Sequence, residues 1–227
     1  MRTLRNHVWL LVVLIFGFIS YSANAQERRP PELDVQYHRA ETAWKSGASV
    51  LEATARVDRV LKEIPDDAEA LKLRAQVLMA MKRPKEALAD ARQAVGLTPQ
   101  DGEAFLILSE AARLNGDEKL AIDALDAAAE RVMEGAEFHI RLSWNAALLG
   151  QLERAEAFAR IAHNAEPGRA AAYYQLARVF VMKNQNDDAA AILAKGLRGN
   201  LLDPAAIQRD TVLTRVSGHE ALSGLLK

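Results

Sequence analysis

Five histidines could carry chemistry in this sequence, because a pair of histidines can bind a metal ion or move protons near neutral pH. They are His7, His38, His139, His163 and His219. No two of them are three or four residues apart, so no single helix face would present two of them as metal ligands. The spacing therefore argues against a metal site built on one helix.

Two adjacent acidic pairs, Asp66-Asp67 and Asp187-Asp188, could in principle do acid–base chemistry. Adjacent side chains on a helix point in different directions, and both pairs flank predicted helix starts, where they favour the helix dipole. The sequence has no glycine-rich phosphate loop, no nucleophile elbow and no cysteine. We therefore expect no catalytic residue, no cofactor and no metal site.

The elements that would position these side chains are predicted to be helices. Of the 227 residues, 50% are hydrophobic and 26% are charged, which is enough to bury a core in one domain. Alanine-rich strings such as ALADA at 87–91 favour helix, and alternating runs of Val, Ile and Thr are almost absent. With a net charge of −1 and no concentrated basic face, nothing indicates a nucleic-acid partner.

The N-terminus has the three-part pattern of a secretory signal peptide. Arg2 and Arg5 precede an apolar run at 8–19, and Ala23-Asn24-Ala25 supplies small residues for cleavage after Ala25. We predict a signal peptide at 1–25, an extended leader at 26–33 and export to the periplasm. The alternative is an uncleaved segment that anchors the protein in the inner membrane, although the apolar run is shorter than the roughly 20 residues that span a bilayer.

A 34-residue period runs through the rest of the sequence. Alanine recurs at that interval at Ala53, Ala87, Ala121, Ala155 and Ala189. Pro65 and Pro99 are 34 residues apart, Pro167 lies 68 residues after Pro99 with Met133 at the intermediate position, and Gly116 and Gly150 are again 34 apart. A further series, mostly of small residues, comprises Glu41, Ala75, Ser109, Ser143 and Ala177. This period is typical of helix-turn-helix arrays, in which small residues let two helices approach, glycine closes the turn and proline ends the second helix.

These positions resemble the tetratricopeptide repeat family. The resemblance implies an all-α, right-handed α-solenoid of five repeats at 34–67, 68–101, 102–135, 136–169 and 170–203. Repeat one departs from the pattern because Glu41 stands where a small residue belongs. His139 occupies a position that usually holds a large apolar residue, so we interpret it as a partly buried structural residue rather than a ligand. After Asp203 the period stops, and we predict that 204–227 is a helical cap over the last repeat, with a docking tail as the alternative.

The resemblance also implies a partner-binding groove formed by first-helix positions two, five, nine, twelve and thirteen of each repeat. The predicted groove residues are Lys72, Gln76, Glu110, Arg113, Ile140, Trp144, Leu148, Tyr174 and Arg178. Val181 and Met182 fall at the same positions, although an apolar stripe at helical spacing can equally belong to the core.

We therefore expect a non-enzymatic scaffold or adaptor that binds a protein partner of the cell envelope. Family members of this kind serve in assembly of secretion, pilus or polysaccharide-export machines, and the sequence does not choose among these. One alternative is a structural or self-associating brace that uses the convex or terminal face. The other is an envelope hydrolase with the groove as its cleft. Oligomeric state is not predicted.

Overall fold

The computed structural model describes residues 29–131 and 135–226. The predicted signal peptide at 1–25 and the first residues of the predicted leader lie outside this part of the chain. Every regular element within it is helical. The ten longest α-helices, α1 to α10 in chain order, span Pro31–Lys45, Val50–Glu63, Ala68–Ala80, Pro84–Leu97, Gly102–Leu114, Glu118–Ala129, Ala136–Leu148, Leu152–Ala165, Ala170–Met182 and Asn186–Arg198.

These ten helices form five consecutive pairs, each joined by a short turn and packed side by side. The first helices of pairs two to five begin at Ala68, Gly102, Ala136 and Ala170, which are 34 residues apart. The predicted all-α array of five helix pairs is therefore confirmed. None of the described helices combines the length and the apolar character needed to cross a bilayer.

The predicted extended leader is wrong at its C-terminal end, because α1 already begins at Pro31. Proline suits the first position of a helix, where its missing N–H has no intrahelical partner in any case. Glu32 and Asp34 add favourable negative charge to the first turn. Residues 31–33 are consequently helical, and the first repeat begins earlier than the period predicts.

Small residues lie where the two helices of each pair cross. The five alanines from Ala53 to Ala189 are fully buried, and so are Ala75, Ser109, Ser143 and Ala177 on the first helices. The two serines also fasten the pairs, since Ser109 Oγ donates to the Ala121 carbonyl at 2.5 Å and Ser143 Oγ to that of Ala155 at 2.8 Å. Each buried serine hydroxyl thus has a hydrogen-bond partner at a crossing point where only a small side chain fits.

In repeat one, the small residue at the helix crossing point is Ala40, one residue before the position that the 34-residue period predicts. Ala40 is fully buried, whereas the Glu41 side chain remains partly exposed and bonds to Lys45 at 2.7 Å. The turn from α1 to α2 has four residues, one more than the later turns within a pair. This additional residue shifts α1 relative to the 34-residue period, so Glu41 does not lie at the crossing point that the sequence alignment gives it.

The turn inside each later pair needs one residue in the left-handed region. Gly116 and Gly150 have φ of +80° and +74°, as predicted for their role between the helices. Lys82 and Asn184 stand at the equivalent position of repeats two and five, with φ of +59° and +61°. A lysine side chain in this conformation costs free energy that glycine avoids.

The C-terminal segment covers the last repeat with three short elements rather than one helix. They are α11 (Pro204–Arg209) and 3-10 turns at Leu213–Val216 and Glu220–Leu222. Their apolar side chains join the core of repeats four and five and are buried there: Ile207, Leu213, Val216 and Leu222. Close approach matters here, because a Cβ on Gly196 of α10 would lie 2.6 Å from the Leu202 side chain.

We expect Lys82→Gly to raise the free energy of unfolding by up to about 1 kcal/mol, because it removes the left-handed strain of a residue with a side chain. Gly116→Ala should lower it by a similar amount, since it introduces that strain at the equivalent turn. Urea unfolding of both variants beside the parent checks this. A Lys82→Gly variant less stable than the parent would show that the lysine side chain stabilises the turn by more than its strain costs.

Candidate functional site

The first helices of the five pairs pack next to one another in one continuous layer: α1, α3, α5, α7 and α9. Each first helix contacts the next first helix along the chain as well as its own partner, whereas successive second helices contact each other less. The stack therefore curves around its first helices. We call the surface that these five helices present the concave face, and all nine predicted groove residues lie on these helices.

Lys72 in α3 is not an open binding residue, contrary to the prediction. It is buried, and its Nζ lies 2.6 Å from Asp101 Oδ2 and 2.7 Å from Glu69 Oε1. Burial alone would lower the pKa of Lys72, but the bonds to Asp101 and Glu69 outweigh it and raise the pKa. Lys72 therefore links α3 to Asp101, the N-cap residue of α5. Its neighbour Gln76 is half-buried, with Nε2 3.4 Å from Glu103 Oε1.

Glu110 in α5 is likewise engaged within the protein. Arg141, on α7 of the next repeat, donates to both of its carboxylate oxygens at 3.1 and 2.7 Å and also contacts Glu103. Burial would lower the pKa of Arg141, but the two carboxylates more than compensate and raise it. Arg141 is not among the residues predicted for the groove from the sequence. The sequence feature that could have indicated this pair is a basic residue, Arg141, that follows the acidic Glu110 by 31 residues and lies in the next repeat.

Arg113 in the last turn of α5 has a neutral partner. Its Nε donates to Asn145 Oδ1 at 2.8 Å, and Asn145 Nδ2 donates to Ser109 Oγ at 2.6 Å. Asn145 is almost completely buried and is another residue that the sequence analysis missed. Burial lowers the pKa of Arg113, and the nearby charge of Glu110 offsets this only in part.

Tyr174 and Arg178 in α9 hold the C-terminal segment. Tyr174 Oη accepts from the Asp203 N–H at 2.9 Å, and Arg178 lies 2.7 and 2.5 Å from Asp210 Oδ2 through Nε and Nη2. The same Asp210 accepts from the N–H groups of Val212 and Leu213, which begin the next 3-10 turn. The two predicted groove residues Tyr174 and Arg178 thus hold the start of the C-terminal segment against α9. Val181, which shares the predicted groove positions, is fully buried in the core.

A group of exposed apolar side chains lies on the concave face near the C-terminal ends of α5 and α7. Leu114, Trp144 and Leu148 are 46%, 38% and 41% exposed, and Ile140 is half-buried. The Arg178 guanidinium carbon lies 5.7 Å from the centroid of the Trp144 ring, so it limits the freedom of that side chain. Leu114 and Leu148 occupy the same position in successive repeats.

The described histidines and acidic residues form no cluster that could hold a metal ion. His139 is partly buried, and its Nδ1 lies 3.0 Å from the Gly135 carbonyl oxygen, within its own helix start. Its ring packs edge-on against Phe138. These local contacts are those of a structural residue.

Comparison with known proteins gives a family-model match to part of the chain and a shared fold. The tetratricopeptide repeat family model matches residues 36–101 and 72–136. Among solved structures, a thermophilic TPR protein from Thermus thermophilus is 25% identical, with a TM-score of 0.64 over 84% of this chain and 99% of that one. A comparison with curated protein sequences gave no match.

Two further solved structures share the fold at lower identity. PilW, a widely conserved type IV pilus biogenesis factor, is 22% identical, with a TM-score of 0.67 over 86% of this chain and 91% of its own. YrrB, a TPR protein with an unusual peptide-binding site, is 19% identical, with a TM-score of 0.54 over 88% of this chain and 97% of its own. At these identities the likeness concerns the fold alone.

We expect Arg178→Leu to lower the free energy of unfolding by about 2 kcal/mol, because it leaves the poorly exposed Asp210 carboxylate without its cation. Leu148→Gln should cost clearly less, since that side chain is already open to water. Urea unfolding measures both. Equal losses would mean that Leu148 belongs to the packed core and not to an open surface.

Proposed function

We propose that this chain, which is a tetratricopeptide repeat protein, binds an extended segment of a partner protein along its concave face. The repeat array is a protein-interaction scaffold, and the solved structure of YrrB is described as having a peptide-binding site. We propose that the partner binds at the exposed apolar side chains of α5 and α7.

The distribution of exposed apolar side chains supports the proposal most directly. Among the described residues, four of the seven exposed large hydrophobics lie on first helices: Val35, Leu114, Trp144 and Leu148. Three of these four fall within α5 and α7 of adjacent repeats. The remaining three, Leu51, Leu97 and Ile161, are on second helices of three different repeats. Exposed apolar side chains that group on one face, with a tryptophan among them, are typical of partner-binding surfaces.

The mechanism that we propose is occupancy of a preformed surface, without chemistry on the partner. Hydrogen bonds and ion pairs between successive repeats, such as Arg141 with Glu110 and Asn145 with Ser109, fix the spacing of α5 and α7 before any partner arrives. A surface that is already ordered loses little conformational entropy on binding. The partner then has to order only its own segment.

We further propose that the protein acts in the cell envelope, in assembly of a secretion, pilus or polysaccharide-export machine. The signal-peptide pattern of residues 1–25 supports the location. PilW, whose fold is similar, is a type IV pilus biogenesis factor, which makes an assembly role of this kind a reasonable one to test.

The proposed location predicts a defined N-terminus. Mass spectrometry of the protein from its native cells should find a mature chain that begins at Gln26, released by treatment that opens the periplasm. An intact chain that starts at Met1 and stays with the membrane would instead support the anchored alternative. An intact chain in the cytosolic fraction would contradict the envelope proposal.

The proposed surface predicts which substitutions abolish partner capture. We expect crosslinking in native cells, followed by mass spectrometry, to recover partners with the parent that are lost with Trp144→Ala/Leu148→Ala. The matched control is Leu51→Ala/Ile161→Ala, which removes two exposed apolar side chains from second helices and should retain the partners. Circular dichroism and thermal melting establish that each variant is folded.

Retention of the same partners by both folded variants would contradict the concave-face proposal. The interface would then lie on the convex face or on residues 204–226, as the structural-brace alternative requires.

A further inference from the structure

Arg113 differs from the other partly buried cations of the concave-face helices. Lys72, Arg74, Arg141 and Arg178 each lie within salt-bridge distance of at least one carboxylate. Within residues 29–131 and 135–226, Arg113 has no carboxylate at that distance. Among these partly buried cations, Arg113 is therefore the one whose charge the surrounding helices compensate least.

The hydrogen bonds around Arg113 hold its guanidinium in a defined place. The bond from Nε to Asn145 belongs to a chain that continues through Ser109 to the carbonyl of Ala121 in α6. Because Asn145 and Ser109 are buried, this chain anchors the inner edge of the guanidinium in the α5–α7 interface. An arginine has five N–H donors, so the two terminal nitrogens remain for a bidentate acceptor.

The exposed apolar side chains lie on the same two helices, α5 and α7, as Arg113 and its partner Asn145. Leu114 follows Arg113 directly, and Leu148 is its counterpart one repeat later. Trp144 lies one helical turn before Leu148 on the same helix, next to the buried Asn145. A positive charge and exposed apolar side chains thus occur together near the C-terminal ends of α5 and α7.

We infer that the concave face selects a partner segment that carries an acidic side chain close to a large apolar one, with the carboxylate on Arg113 and the apolar group against Trp144 and Leu148. This inference rests on the proposed function and specifies the chemistry of the partner. Charge complementarity supports it, because a carboxylate would pair with a partly buried cation whose partner in the protein is the neutral Asn145. The acid is inferred to be a side chain within the segment, because the first helices α3 and α7 flank α5, which carries Arg113, on both sides.

A random 12-residue peptide library displayed on phage tests this inference with the purified protein as target. Peptides are selected on the parent and then counter-screened on Trp144→Ala/Leu148→Ala to retain those that need the concave face. We expect them to carry Asp or Glu within about two residues of an aromatic residue or leucine. In a synthetic peptide, replacing that acid by its amide should weaken binding to the parent about tenfold, as expected for loss of a charged hydrogen-bonded pair.

The variants separate a specific contact from a general charge effect. With Arg113→Gln, the acid and amide peptides should bind equally, whereas Arg113→Lys should keep part of the preference for the acid. The control Arg92→Gln removes an exposed arginine from α4 and changes the net charge by the same amount, so it should leave the preference intact. Melting temperatures confirm that each variant is folded.

Two outcomes would overturn the inference, and they differ in what else they contradict. Peptides that depend on Trp144 and Leu148 but bind equally as acid and amide would refute the role of Arg113 and leave the proposed function standing. Failure to select any peptide that depends on these two residues would contradict the proposed function and, with it, the inference.

Discussion

The architecture depends on close approach of the two helices at the crossing point of every repeat. Ala75 and Ala87 in repeat two, and Ser143 and Ala155 in repeat four, leave no exposed surface at all. A larger side chain there would push the backbones apart and alter the angle at which the next pair stacks. Since each repeat packs mainly on its neighbours, an error at one crossing point would change the curvature of the surface that the first helices share.

Polar side chains of the first helices then fix the spacing between repeats. Lys72, Glu110, Arg178 and Tyr174 each bond to a residue on, or at an end of, a later helix or turn of the stack. Their charges and hydroxyl groups are used inside the protein, so they order the concave face without being free to bind a partner. The exposed large apolar side chains on α5 and α7 are Leu114, Trp144 and Leu148, and the partly buried Arg113 directly precedes Leu114. The same contacts thus order the surface and, under the proposed function, determine which side chains a partner would meet.

The sequence predicts the helix pairs well because the 34-residue period reflects a local requirement that recurs in every repeat. Gly116 and Gly150 mark a turn that needs positive φ, and the buried alanines mark the crossing points. The contacts between repeats were not predictable in the same way. Asp101 lies 29 residues after Lys72, and Asp210 lies 32 residues after Arg178. Such pairs follow from how the helices stack in space. One additional turn residue in repeat one also displaced Ala40 and Glu41 from their expected places.

Hydrogen exchange of the backbone amides, with and without the partner recovered by crosslinking, tests the central claim most directly. The account predicts that binding slows exchange in the C-terminal turns of α5 and α7, around Arg113, Trp144 and Leu148, and leaves the exposed turns of α2, α4, α6 and α8 unchanged. Slower exchange confined to the second helices or to residues 204–226, with α5 and α7 unaffected, would contradict it.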